Sequence, residues 1–122
     1  MTTVDPSQSF ASQDNNRDGW IVTWANMKNG DIGSPPSDVI GFADHTVQVE
    51  GTFGVGGNCA ILGSNDLVNY RILHDPWGVS LNVTTASINQ VTEACASLIP
   101  QITAGDGNTS ITVTALFRRT KP

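Results

Sequence analysis

Between positions 46 and 73 the chain alternates with a period of two and then breaks into glycines. Val47, Val49, Gly51 and Phe53 are separated by Gln48, Glu50 and Thr52, the tetrad Gly54-Val55-Gly56-Gly57 follows, and an apolar run Cys59-Ala60-Ile61-Leu62 comes next. Successive side chains of an extended strand point to opposite faces, so this alternation puts one face in a core and the other in water. Two such runs around a glycine-rich reversal predict a β-hairpin. Gly63-Ser64-Asn65-Asp66 then turns the chain toward a third strand at Tyr70-Arg71-Ile72-Leu73. A meander is expected here, with the remaining strands added to it.

Residues 1–19 are polar, with Asp5-Pro6, the cluster Gln13-Asp14-Asn15-Asn16, and only Val4, Phe10 and Ala11 apolar beyond the first methionine. Such a segment cannot bury enough surface to fold alone, so it is expected to be an extended arm, disordered or laid across a partner with Phe10 as its anchor. Trp20-Ile21-Val22-Thr23-Trp24 has strand composition, and residues 26–33 form a turn region. Ser34-Pro35-Pro36-Ser37-Asp38 is a stiff loop. His74-Asp75-Pro76-Trp77-Gly78 predicts a tight turn, at whose tip Trp77 is exposed and a candidate contact residue. Val79, Leu81 and Val83 alternate in a further strand. Residues 85–95 place Ile88, Val91 and Cys95 at helical spacing and predict a short turn or helical loop, leading into a strand over about residues 93–99. Residues 100–104 approach the turn Gly105-Asp106-Gly107-Asn108-Thr109, and Ile111, Val113 and Ala115 mark a last strand ending at Phe117. The expected fold is all-β: a single-domain antiparallel β-sandwich, jelly-roll-like, of roughly seven or eight strands. Its divisions are an arm over 1–19, the sandwich over 20–119 and a short tail over 120–122.

The 122 residues suffice for one core without metals or staples. The net charge of −5 argues against nucleic acid, whose phosphates need a basic footprint. Charged residues make up only 14% of the chain, and threonine-rich strand faces of that kind suit a protein partly covered by other subunits. All the acids precede residue 117, whereas Arg118, Arg119 and Lys121 form a basic end. That end either reaches an acidic neighbour or folds back on its own chain. Cys59 and Cys95 lack metal-ligand spacing, and buried reduced thiols are the favoured reading over a disulfide. No apolar run approaches the roughly 18 residues of a membrane span, and no secretory signal is seen, so a soluble protein made in a cytoplasm is expected.

Four motifs carry possible chemistry. Asp14-Asn15-Asn16-Arg17-Asp18-Gly19 opens like a calcium loop, but Ala25 stands where a bidentate Glu belongs, so a polar turn is preferred. Gly54-Val55-Gly56-Gly57 lacks the Lys-Ser/Thr and the helix of a phosphate loop. His45 and His74 sit beside Asp44 and Asp75 with no nucleophile signature, so no catalytic residues are assigned. Trp20, Trp24, Trp77 and Tyr70 could form a sugar platform, although Trp20 and Trp24, four apart on a strand, share a face that is by default core. No metal or cofactor is expected.

The segments VQVEGTFGVGGNCAILGSNDLVNY, LHDPWGVSLNVTTASINQVTEA and PQITAGDGNTSITVTALFRRT together resemble a group of small tailed-bacteriophage virion proteins. The shared pattern is a G-T-F-G-x-G-G reversal, a G-S-N-D turn, a D-P-x-G turn, and a T-A-G-D-G-x-T-S turn before a final strand and paired arginines. The resemblance spans about residues 20–119 and implies a head decoration, or cement, protein: a trimer on the capsid exterior, bound to the major capsid protein and assembled in the bacterial host cytoplasm. A tail or neck component and a glycan-binding module are the alternatives. Phe10, Trp77, Arg118, Arg119 and Lys121 are the candidate partner-binding residues.

Overall fold

Eleven strands lie in two facing sheets in a computed structural model that describes residues 2–10 and 19–119. They are β1 (Thr3–Val4), β2 (Ser7–Phe10), β3 (Gly19–Met27), β4 (Ile32–Gly33), β5 (Asp44–Thr52), β6 (Asn58–Ser64), β7 (Arg71–Ile72), β8 (Asn82–Val83), β9 (Ser87–Val91), β10 (Ser97–Ala104) and β11 (Ser110–Arg118). One sheet has the order β1-β4-β10-β6-β7, with β8 also on β6, and the other the order β2-β3-β11-β5-β9. Every pairing is antiparallel except that of β1 with β4. Neighbours distant in sequence and strands divided between two sheets make this a jelly-roll-like sandwich. The count exceeds seven or eight because β1, β4, β7 and β8 are two-residue strands.

The alternation of the long strands builds the core. Along β11, Ile111, Val113, Ala115 and Phe117 face inward without any exposed surface, and Val22, Trp24, Val47 and Val49 do the same from the strands beside it. Cys59, Ile61, Leu98 and Ile102 meet them from the opposite sheet, likewise fully buried. Trp24 fills the centre, and its buried indole N–H donates to the Ser34 carbonyl at 3.0 Å. A Cβ on Gly33 would lie 2.7 Å from both the Trp24 ring and the Pro100 ring, so only glycine fits between them. Both cysteines are free and buried, and burial pushes the Cys59 thiol up to about 12.

The 46–73 stretch does not fold as a meander. β5 and β6 lie in different sheets, because both edges of β5 are occupied, by β11 and β9. The glycine-rich segment after Thr52 therefore crosses between sheets. Only its second half pairs as expected, with Arg71 and Ile72 opposite Gly63 and Leu62. In place of a turn or helical loop over 85–95 stands β9, in which Val91 is buried and Ile88 is 68% exposed, so the two do not share a face. Pro100, read as lying past a strand, sits within β10. The Ile102 amide and carbonyl are bonded to Asp31 and Gly30 on the β4 side, so Pro100, two residues back, turns its missing N–H toward that same, short-stranded side.

The extended arm is corrected for the part described. Thr3 and Val4 pair with Ile32 and Gly33, and residues 7–10 pair with residues 20–23, closing one lateral edge of both sheets. Their polarity is satisfied at home: the Gln8 side chain donates to the Ser37 carbonyl and accepts from its amide, both at 2.8 Å. The calcium-like segment 14–18 lies outside the described residues.

The crossing after Thr52 is held by the turn at 105–109. The buried Thr109 hydroxyl donates to the Phe53 carbonyl at 2.8 Å and accepts from the Asp106 amide at 2.9 Å. Asp106 accepts from the Val55 amide at 2.8 Å and the Asn108 amide at 2.9 Å, bonds that hold its carboxyl below the usual range. Gly54, at φ +72°, passes so close that a Cβ there would fall 2.2 Å from an Asp106 oxygen. Thus the G-T-F-G and G-D-G-x-T motifs are two halves of one clasp. Thr109→Val leaves a buried carbonyl and amide unpaired, which should cost about 1–3 kcal/mol. Urea unfolding should show that loss and Thr109→Ser should recover most of it; a valine variant within about 0.5 kcal/mol of the parent would remove the clasp from the account.

His45 is the largest buried polar side chain of the core, 1% exposed and edge-on to Phe117 with ring centroids 4.7 Å apart. Its Nε2 is 3.3 Å from the Cys95 carbonyl, which requires the proton on Nε2, while the buried Nδ1 has no hydrogen-bond partner among the described residues, so a second proton there would be unsatisfied. Burial lowers its pKa, against opposing contributions from the Cys95 carbonyl and the Asp44 charge. The unfolded chain therefore binds a proton first. Stability is complete above the unfolded value of about 6.5 and falls as pH drops below it. Unfolding midpoints compared at pH 7.5 and pH 5 should show this loss, and His45→Leu should shrink it; an equal loss in the variant would assign the dependence to other groups.

Candidate interaction surface

The outward side chains of β3, β11, β5 and β9 make one face whose composition follows from register. Leu116 lies between Ile21 and Thr46, Thr114 lies between Thr23 and Gln48, and Thr112 is opposite Glu50. Ile88 and Gln90 continue these rows on β9, opposite Gln48 and Thr46. The inward residues of the same strands carry the core, so β-branched Thr on the outer positions keeps strand propensity without adding charge. A shallow depression of about 220 Å³ lies among Ile21, Ile88 and Leu116.

Charge on this face stands at its ends. Asp44 and Arg118 are directly opposite at one end, where the Arg118 Nη2 and Nε donate to one Asp44 oxygen at 2.7 and 3.3 Å. Glu50 stands at the other end, about 20 Å along β5 at 3.3 Å per residue. The Arg118 side chain is 63% exposed, so its ion pair contributes only about 0 to 1 kcal/mol. Arg119 lies with its guanidinium 4.9 Å from the centroid of the Phe42 ring. Both arginines thus touch their own domain, one through a carboxylate and one through an aromatic face. Lys121 lies outside the described residues.

Phe10 stacks on Trp20 with centroids 4.1 Å apart, so its ring is held by its own sandwich. Trp77 is 86% exposed, as its place at a turn tip implies. The turn is rigid: one Asp75 oxygen accepts the Trp77 and Val79 amides at 2.9 and 3.0 Å. Phe10 and Trp77 are not brought together, because β1 and β2 close one lateral edge while β7, β8 and β9 lie at the other. No platform forms from Trp20 and Trp24, which turn inward.

The histidines do not pair with the acids beside them in sequence. Asp44 is taken by Arg118 and Asp75 by its own turn, while His74 Nδ1 meets Glu93 Oε2 at 2.5 Å and the His74 amide donates to Oε1 at 2.8 Å. Burial works to raise the Glu93 carboxyl, but the bonds from His74 outweigh it and leave it below its ordinary value. The G-S-N-D motif is organised like the D-P-x-G and G-D-G motifs. Asp66 accepts from Ser64, Val68 and Asn69, and those bonds hold its carboxyl well below the carboxylate range. Each of these three turn motifs places an aspartate on its own backbone amides, which is structural work. Among the described residues no three His, Cys, Asp or Glu side chains are grouped to hold a metal ion, and no helix is long and apolar enough to cross a membrane. Ile88 was read only for its helical spacing and Leu116 not as a surface residue; the signal that could have found them is an apolar residue at the outward phase of an otherwise polar alternation.

No protein-family model matches the chain, and no curated protein matches it. Among solved structures it is similar to the crystal structure of a cupin domain from Bordetella pertussis Tohama I, with a TM-score of 0.47 and 15% identity over 98% of this chain and 99% of that one.

Proposed function

We propose that the chain is a non-enzymatic structural virion protein: a capsid decoration protein that binds the major capsid protein on the head exterior and bridges coat subunits, as a homo-oligomer of the trimeric kind that the sequence resemblance implies. The observation that carries this reading is the outer face of the five-stranded sheet. Ile21, Leu116 and Ile88 are set there among threonines and glutamines, with charge confined to the ends. A face of this composition can be covered by another protein without desolvating buried charges, which would each cost several kcal/mol. The turns and the basic end remain at the rim, where Arg118 can clamp a carboxylate of the coat while still near Asp44.

Particles purified from an infected culture should contain the chain in numbers comparable to the coat protein. A handful of copies would move it to the tail or neck, and its absence from particles would end the virion reading. Leu116→Glu places an unpaired charge in the middle of the face. It should lower occupancy on stripped heads about tenfold, a loss of roughly 1.4 kcal/mol, with little change in melting temperature. Undiminished occupancy would show that a different surface meets the coat.

A further inference from the structure

The two ends of the five-stranded sheet are treated differently. At one end β2 is four residues long, is preceded by Pro6, and is tied to the 34–38 loop through Gln8. At the other end, among the described residues, β9 pairs with β5 alone, and from Thr84 to Thr92 the sequence Thr-Thr-Ala-Ser-Ile-Asn-Gln-Val-Thr has no charge and no proline. Proteins ordinarily blunt a sheet edge with lysine, proline, a bulge or a covering segment. This edge has none of the first three.

The direction of its backbone groups can be worked out. The Thr92 amide donates to the His74 carbonyl, away from β5, and strand groups alternate in direction, so the amides and carbonyls of Gln90 and Ile88 also point away from β5. Ser87, Asn89 and Val91 are the residues bonded to β5. The outward groups are thus symmetric about Asn89. An identical strand running antiparallel, with Asn89 on the two-fold axis, sets Ile88 opposite Gln90 of the copy and Gln90 opposite Ile88. Each of these pairs exchanges two bonds, and all four outward groups are satisfied together. No like charges are opposed, because there are none. The Ile88 side chain, 68% exposed, gains its own copy as a diagonal neighbour on the same face. Val79, 60% exposed, shares a cleft of about 200 Å³ with Ser87 and Asn89, so the turn carrying Trp77 flanks the same edge.

We propose that β9 is a self-pairing edge, through which two copies of this chain join by antiparallel β9–β9 pairing about Asn89 into one continuous sheet. This does not rest on the decoration reading.

Asn89→Cys tests it directly. Across the two-fold axis the two residues form a non-hydrogen-bonded pair with Cα atoms about 4.5 Å apart, within disulfide reach. The native thiols are buried and do not compete. Mild oxidation should give a disulfide-linked dimer, while Thr112→Cys, on the outer face but away from the edge, should not link. Gln90→Pro removes an outward N–H without touching the β5 ladder, and Ile88→Lys sets two like charges across the axis. Either variant, once shown to be folded by its melting curve, should halve the mass seen by light scattering. Failure of Asn89→Cys to link beyond the Thr112→Cys control, or a mass that neither edge variant changes, overturns the proposal. A wild type that light scattering shows to be unpaired at high concentration would also overturn it.

Discussion

A single hydroxyl governs how the two sheets are joined. Thr109 bonds the Phe53 carbonyl just where the chain leaves β5, and Asp106 holds the Val55 amide one step further on. These contacts force the glycine segment to leave its sheet instead of folding β6 back onto β5. The other constraint is vacancy: with β11 and β9 on its two edges, β5 has no place for β6. Neither bond is strong alone, at about 1 kcal/mol net. Together they select one of two connections that the alternating pattern would otherwise accept equally, since both bury the same side chains.

That equivalence explains which parts of the fold were legible in the sequence. The long strands were, because Val47 and Val49, or Ile111, Val113 and Ala115, announce a buried face by period alone. Their partners were not, because period is a local property and β11 meets β3 and β5 across most of the chain. Ser7-Gln8-Ser9 offered no apolar signal, since an edge strand held by its backbone and by Gln8 needs none. Ile88 and Val91 satisfied helical spacing and strand alternation alike, and only the exposure of Ile88 separates the two. Of the candidate site, the exposure of Trp77 was legible from turn geometry, whereas the sequence left open whether the basic end folds back, as Arg118 does onto Asp44. The face between the sheet's ends was not, because threonine content says nothing about which strands stand side by side.

The distribution of polar groups gives the molecule a direction. Carboxylates at Asp66, Asp75 and Asp106 are turned onto the amides of their own turns, and the Asp44–Arg118 pair stands at a strand end. The mid-sheet is left to hydroxyls, amides and a few aliphatic groups. A protein arranged this way meets its surroundings differently on its faces than at its tips: uncharged broadside contact, with charge reserved for the rim.

The place of β11 has a consequence for how the protein comes into being. It lies between β3 and β5, yet it is the last of the eleven strands to be synthesised. Until it arrives, β3 and β5 cannot be joined, and each presents an unpaired edge with a largely apolar inner face. Local pairs such as β6 with β7 can form early, but the five-stranded sheet closes only at the end, by insertion of a central strand across the greatest sequence separation in the fold. Such a topology folds slowly and is most exposed to aggregation just before completion.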